Sequence, residues 1–196
     1  MKRTYLLSPA RLDGQRAQLV FRAAAMFPLA RALRTEEGAE LGEVFRFMSG
    51  LYFRGKLVYA QRFARSPAQV KIITTNRGLL PASTRVRLDD LAAFARTDID
   101  RGEPAFVEPL LRDARKLDGE VVLLGSIAST KYVETLLSVF GERLVFPTDF
   151  VGRGDMSRGG LLLRAADAGQ ELAYAPVATA KRNGARPPKL APRVRA

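Results

Sequence analysis

Two glycine-bearing stretches carry the residue types that chemistry on an anionic ligand needs. The first is Gly125-Ser126-Ile127-Ala128-Ser129-Thr130-Lys131-Tyr132, close to the phosphate-loop spacing G-x-x-x-x-G-K-[ST]. It departs at two places. Thr130 stands where the second glycine would let the loop wrap a diphosphate, and Tyr132 stands where a hydroxyl residue would hold magnesium. No later strand ends in the acidic residue that a nucleoside triphosphatase needs, so triphosphate hydrolysis is set aside. What survives is a single phosphate or carboxylate held by a helix start and Lys131, with Gly125, Ser126, Ser129 and Thr130 as backbone or hydroxyl contacts. A capped helix with a solvated lysine explains the same residues without a ligand.

The second stretch is Gly152-Arg153-Gly154-Asp155-Met156-Ser157-Arg158-Gly159-Gly160. Its four glycines allow close backbone approach, and Arg153 and Arg158 present planar forks for phosphate or carboxylate. Ser157 adds a hydroxyl. Asp149 and Asp155 are the candidate catalytic carboxylates, able to act as acid, base or ribose contact. The plain alternative is a surface loop in which Asp and Arg pair and one polar residue caps a helix. Asn76 and Arg77, in a loop after a β-branched run, offer a further anion contact, although a tight turn accounts for them equally well.

Positioning these stretches takes an alternation of strands and helices. Tyr5–Leu7, Val70–Thr74, Val121–Leu124 and Arg143–Phe146 read as short buried strands. Helical spacing runs through Gln15–Leu33, kinked or split at Pro28. It recurs in two patterns within Leu41–Ala64 separated by Ser49-Gly50, then in Asp89–Ala95, Phe106–Leu117, Lys131–Phe140 and Leu161–Ala166. Leu172–Val177 reads as an edge strand. The expected fold is a single α/β domain over residues 1–177: three layers, with a mostly parallel open sheet flanked by helices. Residues 178–196, basic and proline-containing, are expected to be a disordered tail. In such sheets ligands gather beyond the carboxyl ends of the strands. The four loops there, Ser8–Gly14, Thr74–Leu80, Gly125–Lys131 and Pro147–Gly160, are also the most polar and glycine-bearing.

Composition narrows the chemistry further. With no Cys and no His among 196 residues, thiolate nucleophiles, disulfides and imidazole bases are excluded, and catalysis falls to carboxylates, hydroxyls, Lys, Arg or Tyr. No residue is singled out as a metal ligand and the cofactor is left open, with a hard-cation site of Asp and Glu oxygens still allowed by the composition. The net charge is +12, and residues 181–196 hold six cations and no acid. A basic surface favours polyanions, and an arginine-rich genome yields the same charge without any partner. Arg46, Arg54, Lys56, Arg62 and Arg65 interleave with Phe45, Phe47, Tyr52, Phe53, Tyr59 and Phe63. That mixture suits nucleotide stacking, though an amphipathic core helix is the preferred reading. No apolar run is long enough to span a membrane, and a cytoplasmic location is the default expectation.

The order of Ile73-Thr74-Thr75-Asn76-Arg77-Gly78-Leu79-Leu80-Pro81, Val121–Ser126 with Lys131-Tyr132, Phe140-Gly141, a strand ending at Pro147, and Gly152-Arg153-Gly154 before Leu161-Leu162-Leu163 resembles a group of bacterial α/β proteins. These are akin to the peroxide-stress YaaA-like proteins and to families associated with deazaguanine modification of nucleic acid. The resemblance covers Leu51 to Leu163, implies a nucleobase- or nucleic-acid-related role, and carries no catalytic residue over. The expected function is binding of a phosphate-bearing ligand, nucleotide or nucleic acid, at the strand ends, with nucleotide or nucleobase processing as its catalytic form. The alternative is a non-catalytic nucleic-acid- or protein-binding module working through the basic tail and the Arg/aromatic helices.

Overall fold

The computed structural model describes residues 2–128 and 130–191. The chain opens with β1 (Arg3–Leu7), whose Thr4 to Leu7 are buried. It continues through two short helices, α1 (Gln15–Phe21) and α2 (Pro28–Ala32). Pro28 opens α2 rather than kinking one long helix, since a first helical residue needs no N–H partner. After β2 (Ala39–Glu40) come α3 (Leu41–Ser49) and α4 (Leu51–Phe63), parted at Gly50, whose φ of 62° is open to glycine. Next are β3 (Val70–Ile73), β4 (Leu79–Pro81), β5 (Arg85–Val86), α5 (Leu88–Ala95) and α6 (Pro104–Ala114). The last third holds β6 (Glu120–Leu124), α7 (Thr130–Phe140), β7 (Leu144–Pro147), α8 (Asp155–Ala168) and β8 (Tyr174–Pro176).

Six strands form one sheet in the order β4-β3-β1-β6-β7-β8, and β2 pairs with β5 apart from it. β3, β1, β6 and β7 are mutually parallel, whereas β4 and β8 close the two edges antiparallel. The sequence carries the parallel core because its strands are apolar on both faces; Val121 to Leu124 are all fully buried. The antiparallel β4 escapes a sequence reading, since its three residues Leu79-Leu80-Pro81 look like a loop. α4 packs on α8 and against β1, while α6 packs on α7, so helices cover both faces and the layers number three. The fold is thus an open, Rossmann-like α/β sheet.

Strand order fixes where a ligand can enter. From β1 the chain crosses to β3 on one side, and from β6 it crosses to β7 on the other. The loops leaving β1 and β6 therefore part at the centre of the sheet, the topological switch point where such folds bind ligands. α4 runs back from that edge, because Lys56 meets Ser8 just past β1 while Phe63 lies beside Arg3 at its start. α8 starts at the same edge, after β7. Three helices of eleven residues or more, α4, α7 and α8, consequently begin at the carboxyl edge of the sheet.

One element begins earlier than the sequence spacing indicates. Asp155 to Gly160, expected as loop, are the first turns of α8. Two glycines in a helix cost about 1 kcal/mol each relative to alanine, and packing explains their presence. A methyl group on Gly159 would stand 2.8 Å from Leu51 O, and one on Gly55 would stand 2.6 Å from Gly159 O. The backbones of α4 and α8 touch there, with no room for a side chain. The described part of the tail, residues 178–191, holds no helix or strand. It runs past α7, where Arg182 pairs with Glu134 at 2.5 Å, and reaches α8, where Pro188 O accepts from Arg153 at 3.3 Å.

Candidate functional site

The switch point gathers an unusual set of side chains. Ser8 is the first residue beyond β1; its backbone N–H continues the ladder by donating to Leu124 O at 3.2 Å. Its carbonyl and hydroxyl both receive Lys56 of α4, with Nζ 2.6 Å from Ser8 O and 2.9 Å from Ser8 Oγ. Lys56 is 1 % exposed, and its ammonium lies over the rings of Tyr52 (4.6 Å) and Phe53 (4.7 Å). Burial pushes its pKa down to about 7, against a weaker upward pull from the Asp155 carboxylate.

Gly125, first residue beyond β6, brings the second loop against the same point. A methyl group there would lie 2.8 Å from Tyr132 Oη and 3.0 Å from Ser8 Cβ. Tyr132, buried in the first turn of α7, donates from its hydroxyl to Ser126 O at 3.2 Å and lies against the Ser8 side chain. Burial raises its pKa, and the contacts with Ser8 and Ser126 oppose that rise. From α4 comes Tyr52, whose hydroxyl is buried without a well-formed hydrogen bond. Burial holds this phenol well above its usual range, with the Arg158 guanidinium pulling the other way. Arg158 stacks over Phe150 at 5.6 Å, donates to Phe150 O at 3.2 Å, and stands 3.6 Å from the exposed Asp155 carboxylate.

Outside this cluster lie two adjoining cavities. One, of about 790 Å³, is lined by Arg16, Glu43, Arg46 and Arg54 together with Leu51 and Met156. The other, of about 560 Å³, again has Leu51, Arg54 and Met156 in its wall, and adds Arg153, Arg164, Arg186 and Lys189. Leu51 and Arg54 belong to the first turn of α4, and Met156 to that of α8. Five cations and no acid line the second cavity. Glu43, the acid of the first, already pairs with Arg46 at 3.2 Å.

The residues singled out in the sequence divide accordingly. Gly125 and Ser126 stand at the switch point with Asp155 and Arg158 beside them. Arg153, Gly154 and Ser157 line the cation-rich cavity, where Arg153 Nη1 donates to Ser157 Oγ at 3.2 Å. Gly152 (φ 71°) faces the tail, where a methyl group would clash with Ala185 O. Thr130 and Lys131 open α7 and are exposed, Asp149 is exposed in the turn after β7, and Ser129 lies outside the described residues. Asn76 and Arg77 turn instead toward α5 and its end: Arg77 pairs with Asp90 at 2.5 Å, and Asn76 Nδ2 donates to Thr97 Oγ1 at 3.4 Å. Among the described residues no cluster of three acids is placed to hold a metal ion, and no helix is long and apolar enough to cross a membrane.

Sequence reasoning placed Ser8 only in a loop and Lys56 and Tyr52 only in the Arg/aromatic mixture, and gave none of the three a role at the switch point. For Lys56 a signal existed: it follows Tyr52 by four residues and precedes Tyr59 and Ala60 by three and four, which puts a lysine on the apolar stripe of its helix. Comparison with protein-family models, curated proteins and solved structures returned no match.

Proposed function

We propose that the protein binds a phosphate-bearing ligand, a nucleotide or a nucleic-acid strand, at the carboxyl edge of its sheet. The observation that carries this reading is the pair of adjoining cavities at the N-terminal turns of α4 and α8. Cations crowd their walls, and the positive ends of two helix dipoles point toward the same edge. Neither feature suits a cationic or neutral ligand, because several like charges brought together are relieved only by an anion. Exposed Met156 and half-buried Phe47 give bases an apolar face to lie on. This surface combines what the alternative reading separates, since tail residues Arg186 and Lys189 line the same cavity as the α8 arginines.

The test is a titration of the purified chain with AMP and with a fluorescent single-stranded oligonucleotide. Arg54 lines both cavities, so Arg54→Ala is expected to weaken binding by about 1–3 kcal/mol, the scale of a charge-assisted hydrogen bond, while melting unchanged. Tighter binding of the oligonucleotide than of AMP marks a strand as the ligand, and equal binding marks a single nucleotide. No binding of either at low salt rejects the reading.

A further inference from the structure

We infer that Ser8 and Lys56 are a nucleophile and its general base, and that the protein cleaves an ester or amide of an anionic molecule through an acyl intermediate on Ser8. The anionic part of that substrate rests on the function proposed above; the dyad does not.

Three observations carry the assignment. Ser8 Oγ and Lys56 Nζ are 2.9 Å apart, within reach for direct proton transfer. Ser8 keeps 8 % exposure where Lys56 keeps 1 %, so the serine is the member of the pair nearer to solvent. The pair sits where the loops after β1 and β6 diverge, the ligand-binding position of this sheet topology. A lysine needed only for packing would be better replaced by an apolar side chain, since a buried ammonium is costly. As a neutral amine, Lys56 can donate to Ser8 O and accept from the Ser8 hydroxyl, so both contacts are satisfied in the state that acts as base. Burial among Tyr52, Phe53 and the sheet favours that neutral state. The charged and titratable groups facing it are Tyr52 on its own helix, Tyr132 on α7, and the opposed Asp155 and Arg158 on α8.

The electrophile follows from the donors nearby. The Tyr52 hydroxyl has none of its own bonding satisfied and supplies one donor. Tyr132 supplies a second by turning its hydroxyl from Ser126 O to the substrate, and two is the number a single tetrahedral oxyanion takes. A transferring phosphoryl group would spread its charge over three equatorial oxygens. In the first half-reaction Ser8 Oγ bonds to the carbonyl carbon, the carbonyl π pair moves to oxygen, and the hydroxyl proton passes to Lys56 Nζ. Collapse of that adduct breaks the bond to the leaving alcohol or amine, which takes the proton from Lys56. Water then attacks the acyl-Ser8 carbonyl, gives a proton to Lys56, and Ser8 Oγ leaves and recovers it; the products are an acid and the alcohol or amine.

The experiment is covalent labelling of the full chain by a fluorophosphonate probe from pH 5.5 to 9, read by intact mass and peptide mapping. A single adduct on Ser8 is expected, with a rate that rises through about pH 7 and then levels. Ser8→Ala should abolish the adduct, and Lys56→Arg, which keeps a cation but supplies no base, should slow it at least 100-fold. If Lys56→Arg fails to fold, the pH profile of the native chain carries the test alone. No adduct, an adduct on another residue, or a rate independent of pH overturns the dyad. Inorganic phosphate or AMP slowing the labelling supports an anionic substrate; Ser8 labelling indifferent to both keeps the dyad and overturns that substrate class.

Discussion

At the scale of single residues, Lys56 couples the interior of the protein to pH. Its folded pKa is pushed down to about 7, whereas an unfolded lysine titrates near 10.4. Between those values the unfolded chain binds the extra proton, so folding stability rises as pH climbs from 7 toward 10, by an amount on the order of 4 kcal/mol. Lys71, half-buried and shifted in the same direction, adds a small part. Above about pH 10 the trend reverses, because buried Tyr5 and Tyr52 resist the ionisation that unfolding would allow. Urea unfolding at pH 7, 8 and 9 should therefore give increasing midpoints, and Lys56→Met should be the more stable chain at pH 7 and nearly flat with pH. A native profile as flat as that of the variant would show that Lys56 stays protonated when buried. Lys56 was open to sequence reading through its place on an apolar stripe, but Ser8 was not. A serine before a proline at a strand end has the look of a turn residue, and only the return of α4 from residue 50 brings a base to it.

At the scale of elements, the contact between α4 and α8 decides the geometry of the site. Gly55 and Gly159 let the two backbones meet, and that closeness sets Tyr52 and Lys56 beside Asp155 and Arg158. Gly159→Ala would gain helix propensity in isolation, yet its methyl group would stand 2.8 Å from Leu51 O. The expected net effect is destabilisation by about 1–3 kcal/mol, the usual cost of overpacking, seen as a lower Tm by calorimetry. A Tm at or above the native value would show that the helices separate freely. The parallel strands and the break at Ser49-Gly50 were legible, because buried parallel strands are apolar throughout and glycine punctuates helices. The start of α8 was not. Gly152 to Gly160 has the composition of a loop, and its helical part exists because another helix needs bare backbone to lie against, a requirement set by residue 55 and invisible near residue 159.

At the scale of the molecule, charge and chain order have separate consequences. Arg186 and Lys189 complete the wall of the cation-rich cavity. The tail, however, is fastened by exposed contacts such as Arg153 with Pro188 O and by the half-buried pair Arg182 with Glu134, and ion pairs so open to solvent are each worth about 1 kcal/mol or less. A chain ending at Ala180 should thus lose at most a few degrees of Tm. Its binding of a single-stranded oligonucleotide should show a salt slope smaller by about 1.4, from two lost phosphate contacts at roughly 0.7 each. A large drop in Tm would make the tail part of the core instead. The order of the strands bears on synthesis as well. β1 precedes the other strands of this sheet in the chain, yet it lies inside the sheet, with β3 on one flank and β6 on the other. While the ribosome extends the chain from Leu7 to Leu124, an apolar strand waits with one edge unpaired, because the flanking strand β6 that completes it is made only after α1 to α6. The growing chain is therefore most exposed to aggregation in mid-translation. Holding factors that bind the extended apolar segment of β1 would raise its yield more than any that act after the sheet has closed.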